Sequence, residues 1–311
     1  MKIFVQTTFP ENEKAALKTG VTGDELVFRD DLPSAETQNI SLLSADIIVG
    51  NPKPAELLEQ AVHLKWLQLM STGFEYYSGI HTSAVVTNLK DYYSSPCAET
   101  IIAGIMALYR GMDTFTRLKD QRKWVGHSLR SGLQLLYEKK VIILGWGNIG
   151  KRVAENLKGF NCDIIVYSRS SGQIHTMEEL KRDLPYADIV IGCLPGTEET
   201  RGMFTGEMIA LMKPTALFCN VGRGNLLQDE QALIDALMQQ RLGGAVLDVT
   251  ATEPLPEDHP LWNCPDTILS QHTGGGSVTE YEGMVETFLI NLERFKSGKP
   301  LNNQIELRRG Y

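Results

Sequence analysis

A glycine-rich segment between an apolar run and a helical run is the feature that most constrains the fold of this chain. The apolar run 141–144 precedes Gly145-Trp146-Gly147-Asn148-Ile149-Gly150, and the amphipathic sequence KRVAENLKGF follows. In a strand–turn–helix unit the first glycine permits the turn, the second lets a pyrophosphate approach the backbone, and the third lets the helix pack closely. The glycines alone are weak evidence, but this context predicts a dinucleotide site in a parallel sheet.

Apolar runs alternate with helical segments along most of the chain. In the C-terminal part they predict six strands: Val141–Leu144, Asp163–Tyr167, Ile189–Leu194, Ala216–Val221, Gly244–Asp248 and Thr267–Ser270. An earlier series of the same kind is predicted at Ile3–Gln6, Ala45–Gly50 and Leu64–Met70. Strands separated by helices favour parallel sheets covered on both faces, and the six-strand series fits a doubly wound dinucleotide domain.

Three further segments connect or close the two series. Residues Cys97–Leu108 carry Glu99 as their only charge, which predicts a well-buried helix leading from one domain to the other. Residues 110–140 are polar and weakly periodic, so they form either a long connection or an arm on a partner subunit. A final helix at Thr279–Ser297 is expected to return to the first domain, because charged residues mark its exposed end.

Composition restricts the partners and the location of the chain. The 311 residues carry a net charge of −8, whereas nucleic acids and anionic membranes select clustered lysine and arginine, so neither is expected as a partner. No apolar run is long enough for a secretory signal or a membrane span, which predicts a soluble cytoplasmic protein. The five cysteines are scattered without a CxxC pair, so neither disulfides nor a metal site is expected.

The end of the second dinucleotide-domain strand bears on the choice of cofactor. NAD sites usually place a carboxylate there to accept hydrogen bonds from the adenosine ribose, whereas this chain has Ser168-Arg169-Ser170. With no carboxylate to repel a 2′-phosphate, Arg169 can pair with one and the serines can donate hydrogen bonds to it. NADP(H) is therefore predicted, with NAD(H) as the alternative if Arg169 only stacks on the adenine.

Reactive side chains follow three later predicted strands, at the edge where the nicotinamide end of the cofactor would lie. They are Arg223 between two glycines, Glu253 in the loop after Asp248, and His272 in the sequence QHTGGG. Reduction of a ketone by hydride needs a proton donor, and a histidine beside a carboxylate suits that role near neutral pH. Taken singly, each has an ordinary alternative: a surface ion pair, a turn or a loop histidine.

From about residue 45 to residue 297 the chain resembles the D-isomer-specific 2-hydroxyacid dehydrogenase family. The matching segments, in order and separation, are LKWLQLMSTG (64–73), SPCAET (95–100), GWGNIG (145–150), LPGTEETRGMF (194–204), NVGRGNLLQDEQALIDAL (220–237), LDVTATEPLPEDHPLW (247–262) and QHTGG (271–275). The resemblance implies an α/β fold with two doubly wound domains. In it, a Rossmann dinucleotide-binding domain (99–285) is inserted in a flavodoxin-like substrate domain (1–98 and 286–311), and the protein is a homodimer.

The resemblance also implies roles for individual residues. Arg223 would bind the substrate carboxylate and polarise the keto oxygen, His272 would donate the proton with Glu253 as its partner, and Asp248 would orient the nicotinamide carboxamide. The expected substrate contacts are Thr72, Gly73, Arg223 and His272. The expected cofactor contacts are Gly145, Gly147, Asn148, Ile149, Gly150, Ser168, Arg169, Ser170, Leu194, Pro195, Thr200, Val221, Gly222, Arg223, Asp248, His272 and Gly274.

Two departures from the family pattern affect the predicted pocket. Gln271 replaces the proline that usually precedes the histidine, and Ser71-Thr72-Gly73 replaces the more usual Gly-Ala-Gly. The reaction implied by the resemblance is NADPH-dependent reduction of a small 2-keto acid, of the glyoxylate or hydroxypyruvate type. The alternatives are an NAD-dependent dehydrogenase of another acid and an NAD(P)H-sensing protein similar to transcriptional corepressors.

Overall fold

The structure, a computed structural model, describes residues 1–169 and 171–309. The strands are β1 (Lys2–Val5), β2 (Glu25–Phe28), β3 (Ile47–Val49), β4 (Trp66–Gln68), β5 (Val85–Thr87), β6 (Lys140–Leu144), β7 (Asp163–Tyr167), β8 (Ile189–Gly192), β9 (Leu217–Asn220), β10 (Gly244–Leu247), β11 (Thr267–Leu269) and β12 (Gln304–Ile305). The α-helices are α1 (Glu11–Gly20), α2 (Ala35–Leu43), α3 (Leu57–Gln60), α4 (Ser94–Tyr109), α5 (Met112–Asp120), α6 (Asn148–Leu157), α7 (Met177–Asp183), α8 (Gly206–Leu211), α9 (Glu230–Met238) and α10 (Glu280–Lys296).

The chain divides into two compact units, Met1–Tyr93 with Ser277–Tyr311, and Ser94–Gly276. The domain predicted at 99–285 therefore begins five and ends nine residues later than the second unit. Helix α10 belongs entirely to the first unit, whereas the predicted boundary passes through it.

The second unit contains a six-stranded parallel sheet in the order β7-β6-β8-β9-β10-β11. All six predicted strands are present, with ends that differ by at most two residues. The strand usually found outside β7 in this fold is reduced to one parallel bridge between Tyr167 and Ile174. The direction of winding changes at β6, and sheets of this kind bind ligands beside that point, at the carboxyl ends of their strands.

The first unit contains a sheet in the order β2-β1-β3-β4-β5-β12, in which β12 runs antiparallel to β5. The order of its five parallel strands is that of flavodoxin. The predicted fold class, two doubly wound sheets with a flavodoxin-like order in the substrate domain, is therefore confirmed. The sequence did not reveal β2, β5 or β12, because β12 has only two residues and β2 and β5 each begin with an exposed residue.

Helix α4 packs closely on the sheet of the second unit. It begins three residues before the predicted helix and buries residues spaced three or four apart, among them Cys97, Ile101 and Gly104. A Cβ on Gly104 would lie 2.4 Å from Val246 Cγ1, so only a glycine permits this approach of α4 to β10. The close packing agrees with the buried helix predicted from the sequence.

The region 110–140 contains α5 and a 3-10 helix at Gly126–Gly132. Its Trp124 side chain is 96% exposed. A cavity of about 520 Å³ in this region is lined by Phe115, Leu118, Lys119, Arg122, Lys123, Trp124, Val125, Gly126 and Leu129. Across the described ranges, no helix is long and apolar enough to cross a membrane.

Candidate active site

The loop after β6 has the geometry that its glycines predict. Gly145 adopts a φ of +107°, in the left-handed region that favours glycine. A Cβ on Gly150 would lie 2.2 Å from the Gly145 carbonyl oxygen, so α6 packs directly on the turn. A Cβ on Gly147 would meet no atom within 4 Å. The space beside Gly147, where α6 begins with Asn148 and Ile149, is therefore open to an anion such as a pyrophosphate.

The loop after β7 differs from its prediction in one respect. Arg169 Nη2 lies 2.5 Å from Glu199 Oε2, and the hydrogen bond from Arg169 lowers the pKa of Glu199. The expectation that no carboxylate lies near this position was wrong, because Glu199 places one beside Arg169. This contact was not foreseen, since the two residues are thirty apart in sequence. The Ser168 carbonyl accepts a hydrogen bond from His175 Nδ1 at 2.8 Å. Ser170, also predicted to contact the cofactor, lies outside the described residues.

The loop after β8 is held together by hydrogen bonds of Thr200 to other residues of the same loop. The Thr200 hydroxyl bonds to the Pro195 carbonyl and accepts the Thr197 N–H at 3.0 Å, and Thr200 is buried. A Cβ on Gly222 would lie 2.4 Å from the Leu194 carbonyl oxygen, so this loop contacts the one after β9. Thr200 therefore shapes the loop that carries Leu194 and Pro195, two of the predicted cofactor contacts.

The loop after β9 carries Arg223 and is organised by the buried Asn220. Asn220 Oδ1 accepts the Gly222 N–H at 3.1 Å, and its Nδ2 donates to the Arg223 carbonyl at 2.9 Å. A Cβ on Gly224 would lie 1.8 Å from the Thr250 carbonyl oxygen. The glycines beside Arg223 are thus required by backbone contacts, and not only to leave the guanidinium unobstructed, as the sequence suggested. Asn220 was not among the residues predicted from the sequence, although its position at the strand end was a signal.

His272 and Glu253 form a hydrogen-bonded pair, as predicted from the sequence. His272 Nδ1 lies 2.7 Å from Glu253 Oε2, and Glu253 Oε1 accepts the Thr250 N–H at 3.0 Å. The two side chains are 53% and 36% exposed, so solutes can reach them. Because the carboxylate engages Nδ1, Nε2 is the ring nitrogen that Glu253 does not contact.

Asp248 holds the loop that carries His272. Its buried Oδ1 accepts hydrogen bonds from Ser270 Oγ at 2.7 Å and the Gly274 N–H at 2.9 Å, and its carbonyl accepts the His272 N–H at 2.6 Å. Gln271 and His272 both have a φ of 55°. Proline cannot adopt this angle, so a glutamine in place of the usual proline suits the observed loop.

A second glutamate–histidine pair supports the loop that carries Glu253. Glu230, the first residue of α9, accepts the Ala251 N–H at 2.9 Å through Oε1, and its Oε2 lies 3.5 Å from His259 Nε2. The Glu230 side chain is 10% exposed. Glu230 and His259 were not predicted from the sequence, because they are far apart in the chain and each could equally be an ordinary surface residue.

One cavity brings the predicted catalytic residues together. Its volume is about 190 Å³, and it is lined by Arg223, Gly224, Asn225, Val249, Thr250, Ala251, Glu253 and His272. A second cavity of about 430 Å³, lined in part by Trp262 and Gln271, shares Glu253 and His272 with the first. The first cavity can therefore present a guanidinium and a proton donor to the same small anion.

Thr72 and Gly73 lie in the first unit, in the loop after β4. The Thr72 hydroxyl donates to the Leu89 carbonyl at 3.2 Å, Ser71 Oγ donates to the Gly73 carbonyl at 2.8 Å, and Asn88 Nδ2 donates to the Thr72 carbonyl at 2.7 Å. None of these three bonds uses the backbone N–H group of Thr72 or Gly73. These N–H groups are the atoms through which the loop is expected to contact the substrate carboxylate.

The thiols and carboxylates of residues 1–169 and 171–309 form no group of three or more that could hold a metal ion. The five cysteines are free. Burial raises the pKa of both Cys97 and Cys193 to about 12, so these thiols stay protonated and unreactive near neutral pH.

Comparison with known proteins shows the family. The sequence model of D-isomer specific 2-hydroxyacid dehydrogenase, NAD binding domain, matches residues 102–274. A glyoxylate reductase of Thermococcus gammatolerans is 35% identical over 226 residues, which cover 69% of this chain and 67% of that protein. Among solved structures, a D-isomer specific 2-hydroxyacid dehydrogenase family protein from Aeromonas salmonicida has 27% identity and a TM-score of 0.84, with 98% of each chain covered.

A second solved structure is the D-isomer specific 2-hydroxyacid dehydrogenase of Xanthobacter autotrophicus in complex with NADPH and MES. It has 25% identity and a TM-score of 0.80, with 99% of each chain covered. Together with the glycine loop of β6, these matches define an NAD(P)-dependent oxidoreductase. The chain belongs to the D-isomer specific 2-hydroxyacid dehydrogenase family, as its motifs predicted.

Proposed function

We propose that this enzyme reduces a small 2-keto acid of the glyoxylate or hydroxypyruvate type, with NADPH as its preferred cofactor. The observation that carries the proposal is the single cavity lined by Arg223, Glu253 and His272. Its groups match the needs of the reaction, which are a cation for the substrate carboxylate and a proton donor for the oxygen. The match to glyoxylate reductases supports the choice of substrate.

Each residue of the trio has a distinct task in this reaction. The Arg223 guanidinium binds the carboxylate and withdraws electron density from the keto oxygen. His272 Nε2 gives its proton to that oxygen, while Glu253 holds the ring by Nδ1. When bound, the reduced nicotinamide supplies the hydride for the keto carbon. Asp248 keeps the His272 loop in place.

The residues expected to hold the cofactor fit a dinucleotide. The open space at Gly147 and the N-terminus of α6 suit the pyrophosphate. Arg169 suits a 2′-phosphate, and the related Xanthobacter enzyme was solved with NADPH. Both observations support NADP(H) over NAD(H).

The test is steady-state kinetics with a panel of short 2-keto acids against NADPH and NADH. We expect glyoxylate or hydroxypyruvate to give the highest kcat/KM, and NADPH to exceed NADH. A higher kcat/KM with NADH would contradict the cofactor proposal. Consumption of neither cofactor with any keto acid would contradict the enzymatic one and favour a sensing role.

We further propose a homodimer, built partly on residues 110–140. The exposed Trp124 and the cavity beside it present apolar surface of the kind that subunit interfaces cover. Light scattering at micromolar concentration is expected to give twice the mass of the chain, and a monomer mass would refute the proposal. The cytoplasmic location remains a prediction from the sequence.

A further inference from the structure

The ion pair with Glu199 engages the Arg169 guanidinium, the group that is proposed to bind the 2′-phosphate of the cofactor. Arg169 follows β7, and Glu199 lies in the loop after β8, so the pair joins two neighbouring loops at the carboxyl ends of the strands. Both side chains are about 60% exposed. Ion pairs as exposed as this one are weak, so a competing anion can displace one partner.

We infer that Glu199 sets the selectivity between NADP(H) and NAD(H) by competing with the 2′-phosphate for Arg169. The inference rests on the proposed role of Arg169. A 2′-phosphate brings between one and two negative charges to a guanidinium that already holds a carboxylate, so binding must displace Glu199 or tolerate its repulsion. An unphosphorylated ribose brings no such charge and leaves the pair intact. Glu199 therefore penalises NADP(H) and leaves NAD(H) unaffected.

The neighbouring Glu198 provides a matched control. It carries the same charge one residue earlier, but its Oε1 lies 3.4 Å from Arg201 Nε, and it has a different partner from Glu199. Glu198→Gln and Glu199→Gln change the net charge of the protein equally. A difference between the two variants therefore reports the contact with Arg169 and not the overall field of the protein.

The experiment measures dissociation constants of NADP⁺ and NAD⁺ by calorimetry, without substrate. Glu199→Gln is expected to tighten NADP⁺ binding about two- to fivefold and to change NAD⁺ binding by less than about 1.5-fold. Glu198→Gln is expected to change neither. In an Arg169→Ala background, Glu199→Gln is expected to lose its effect on NADP⁺, because the group for which the two anions compete is absent.

The outcomes separate this inference from the proposed function. Equal effects of the two glutamine variants, or a persistent effect of Glu199→Gln without Arg169, would overturn the competition. If wild-type protein prefers NAD⁺ but Glu199→Gln prefers NADP⁺, the competition stands and the proposed NADPH preference fails. If wild-type protein prefers NADP⁺ and Glu199→Gln does not increase that preference, the proposed function stands and the competition fails.

Discussion

His272 is fixed by contacts on both its backbone and its ring. Its N–H donates to the Asp248 carbonyl at 2.6 Å, and its Nδ1 lies 2.7 Å from Glu253. Its φ of 55° is uncommon for a residue other than glycine, and such conformations concentrate at functional sites. The residue is held so that its remaining ring nitrogen keeps one orientation.

His272→Ala removes the proposed proton donor. We expect kcat for keto acid reduction to fall at least about 100-fold, the usual scale of general acid catalysis. His63→Ala, at an exposed histidine of the first unit, is the control and should leave the rate unchanged. Circular dichroism of both variants checks folding. A near-normal kcat for folded His272→Ala would remove the residue from its role.

The glycines of the β6 loop allow ligand binding and folding to be tested separately. Gly147→Ala places a methyl group in open space, where the pyrophosphate is expected, while Gly150→Ala places one 2.2 Å from a carbonyl oxygen. We expect Gly147→Ala to keep the Tm of the cofactor-free protein and to weaken NADP⁺ binding about tenfold or more. Gly150→Ala should lower the Tm by several degrees, since overpacking costs about 1–3 kcal/mol. Equal losses of Tm would contradict the open site at Gly147.

At the scale of elements, the loop between β10 and β11 is held in position by a hydrogen bond to α9, a helix that precedes it in the chain. Glu230 at the start of α9 accepts the Ala251 N–H and so fixes the segment that leads to Glu253. The position of the Glu253 carboxylate is thereby coupled to α9, although Glu230 itself is not among the residues that line the cavity with Arg223, Glu253 and His272.

Glu230→Ala leaves the Ala251 N–H without its acceptor, whereas Glu230→Gln retains an oxygen at that position. We expect the alanine variant to lose about tenfold in kcat with little change in KM, because loop geometry affects proton transfer more than substrate binding. The glutamine variant should recover most of the rate. If Gln and Ala variants are equally impaired, the hydrogen bond to Ala251 is not what positions Glu253.

The elements found from the sequence are those with a strong local signal. The strands of the second sheet are continuous apolar runs because helices cover both faces, and the turn at Gly145 needs glycine for its φ of +107°. β12 has two residues and no comparable signal. Residues 110–140 gave no clear period, and they form α5 and a 3-10 helix.

Side-chain pairings over long sequence separations were not accessible from the sequence. The Glu253–His272 pair was predicted because ketone reduction needs a proton donor, and the family resemblance indicated which histidine and which glutamate fill that role. Glu199 and Arg169 are thirty residues apart, and many other charged residues were equally plausible partners for Arg169. The same holds for Glu230 and His259, whose contact depends on the fold of two loops.

At the scale of the whole molecule, both sheets use the same arrangement at their amino edges. Asp46 and Asp188, each following an alanine and preceding a strand, accept the N–H of Lys2 and of Lys140, the first residues of β1 and β6. A lysine reaches the other carboxylate oxygen in each case, Lys65 at 2.7 Å and Lys213 at 2.8 Å. The two units therefore share this aspartate–lysine arrangement, although their sequences differ.

These contacts lower the pKa of both carboxyl groups. For Asp46 the hydrogen bond from Lys65 is the main cause. For Asp188 burial is the largest single effect and would raise the pKa, but the hydrogen bonds from Lys213 and Lys140 and the charges of Lys213 and Lys139 together lower it. Both groups thus stabilise the folded state above the ordinary pKa of 3.8, and this contribution is lost as the pH falls through the lowered folded-state value.

Asp46→Asn and Asp188→Asn should each lower the free energy of unfolding by about 1 kcal/mol at pH 7. The difference from wild type should shrink as the pH drops below the ordinary pKa of 3.8, because the carboxyls of the unfolded wild-type chain then bind protons before those of the folded protein. Urea unfolding at pH 7 and pH 3.5 measures this. If the loss in free energy of unfolding is the same at both pH values, its cause is not the carboxylate charge.

The position of these aspartates has a consequence for how such a protein can change over generations. In the second unit, Asp188 precedes the amino end of β8, whereas the Gly145 loop and Arg223 follow the carboxyl ends of β6 and β9, about 15 Å away along strands of four or five residues. Substitutions at sites this far apart and without shared partners are expected to act independently of one another. We therefore expect that mutations near Asp188 can change stability while leaving the groups at the carboxyl ends of the strands in place.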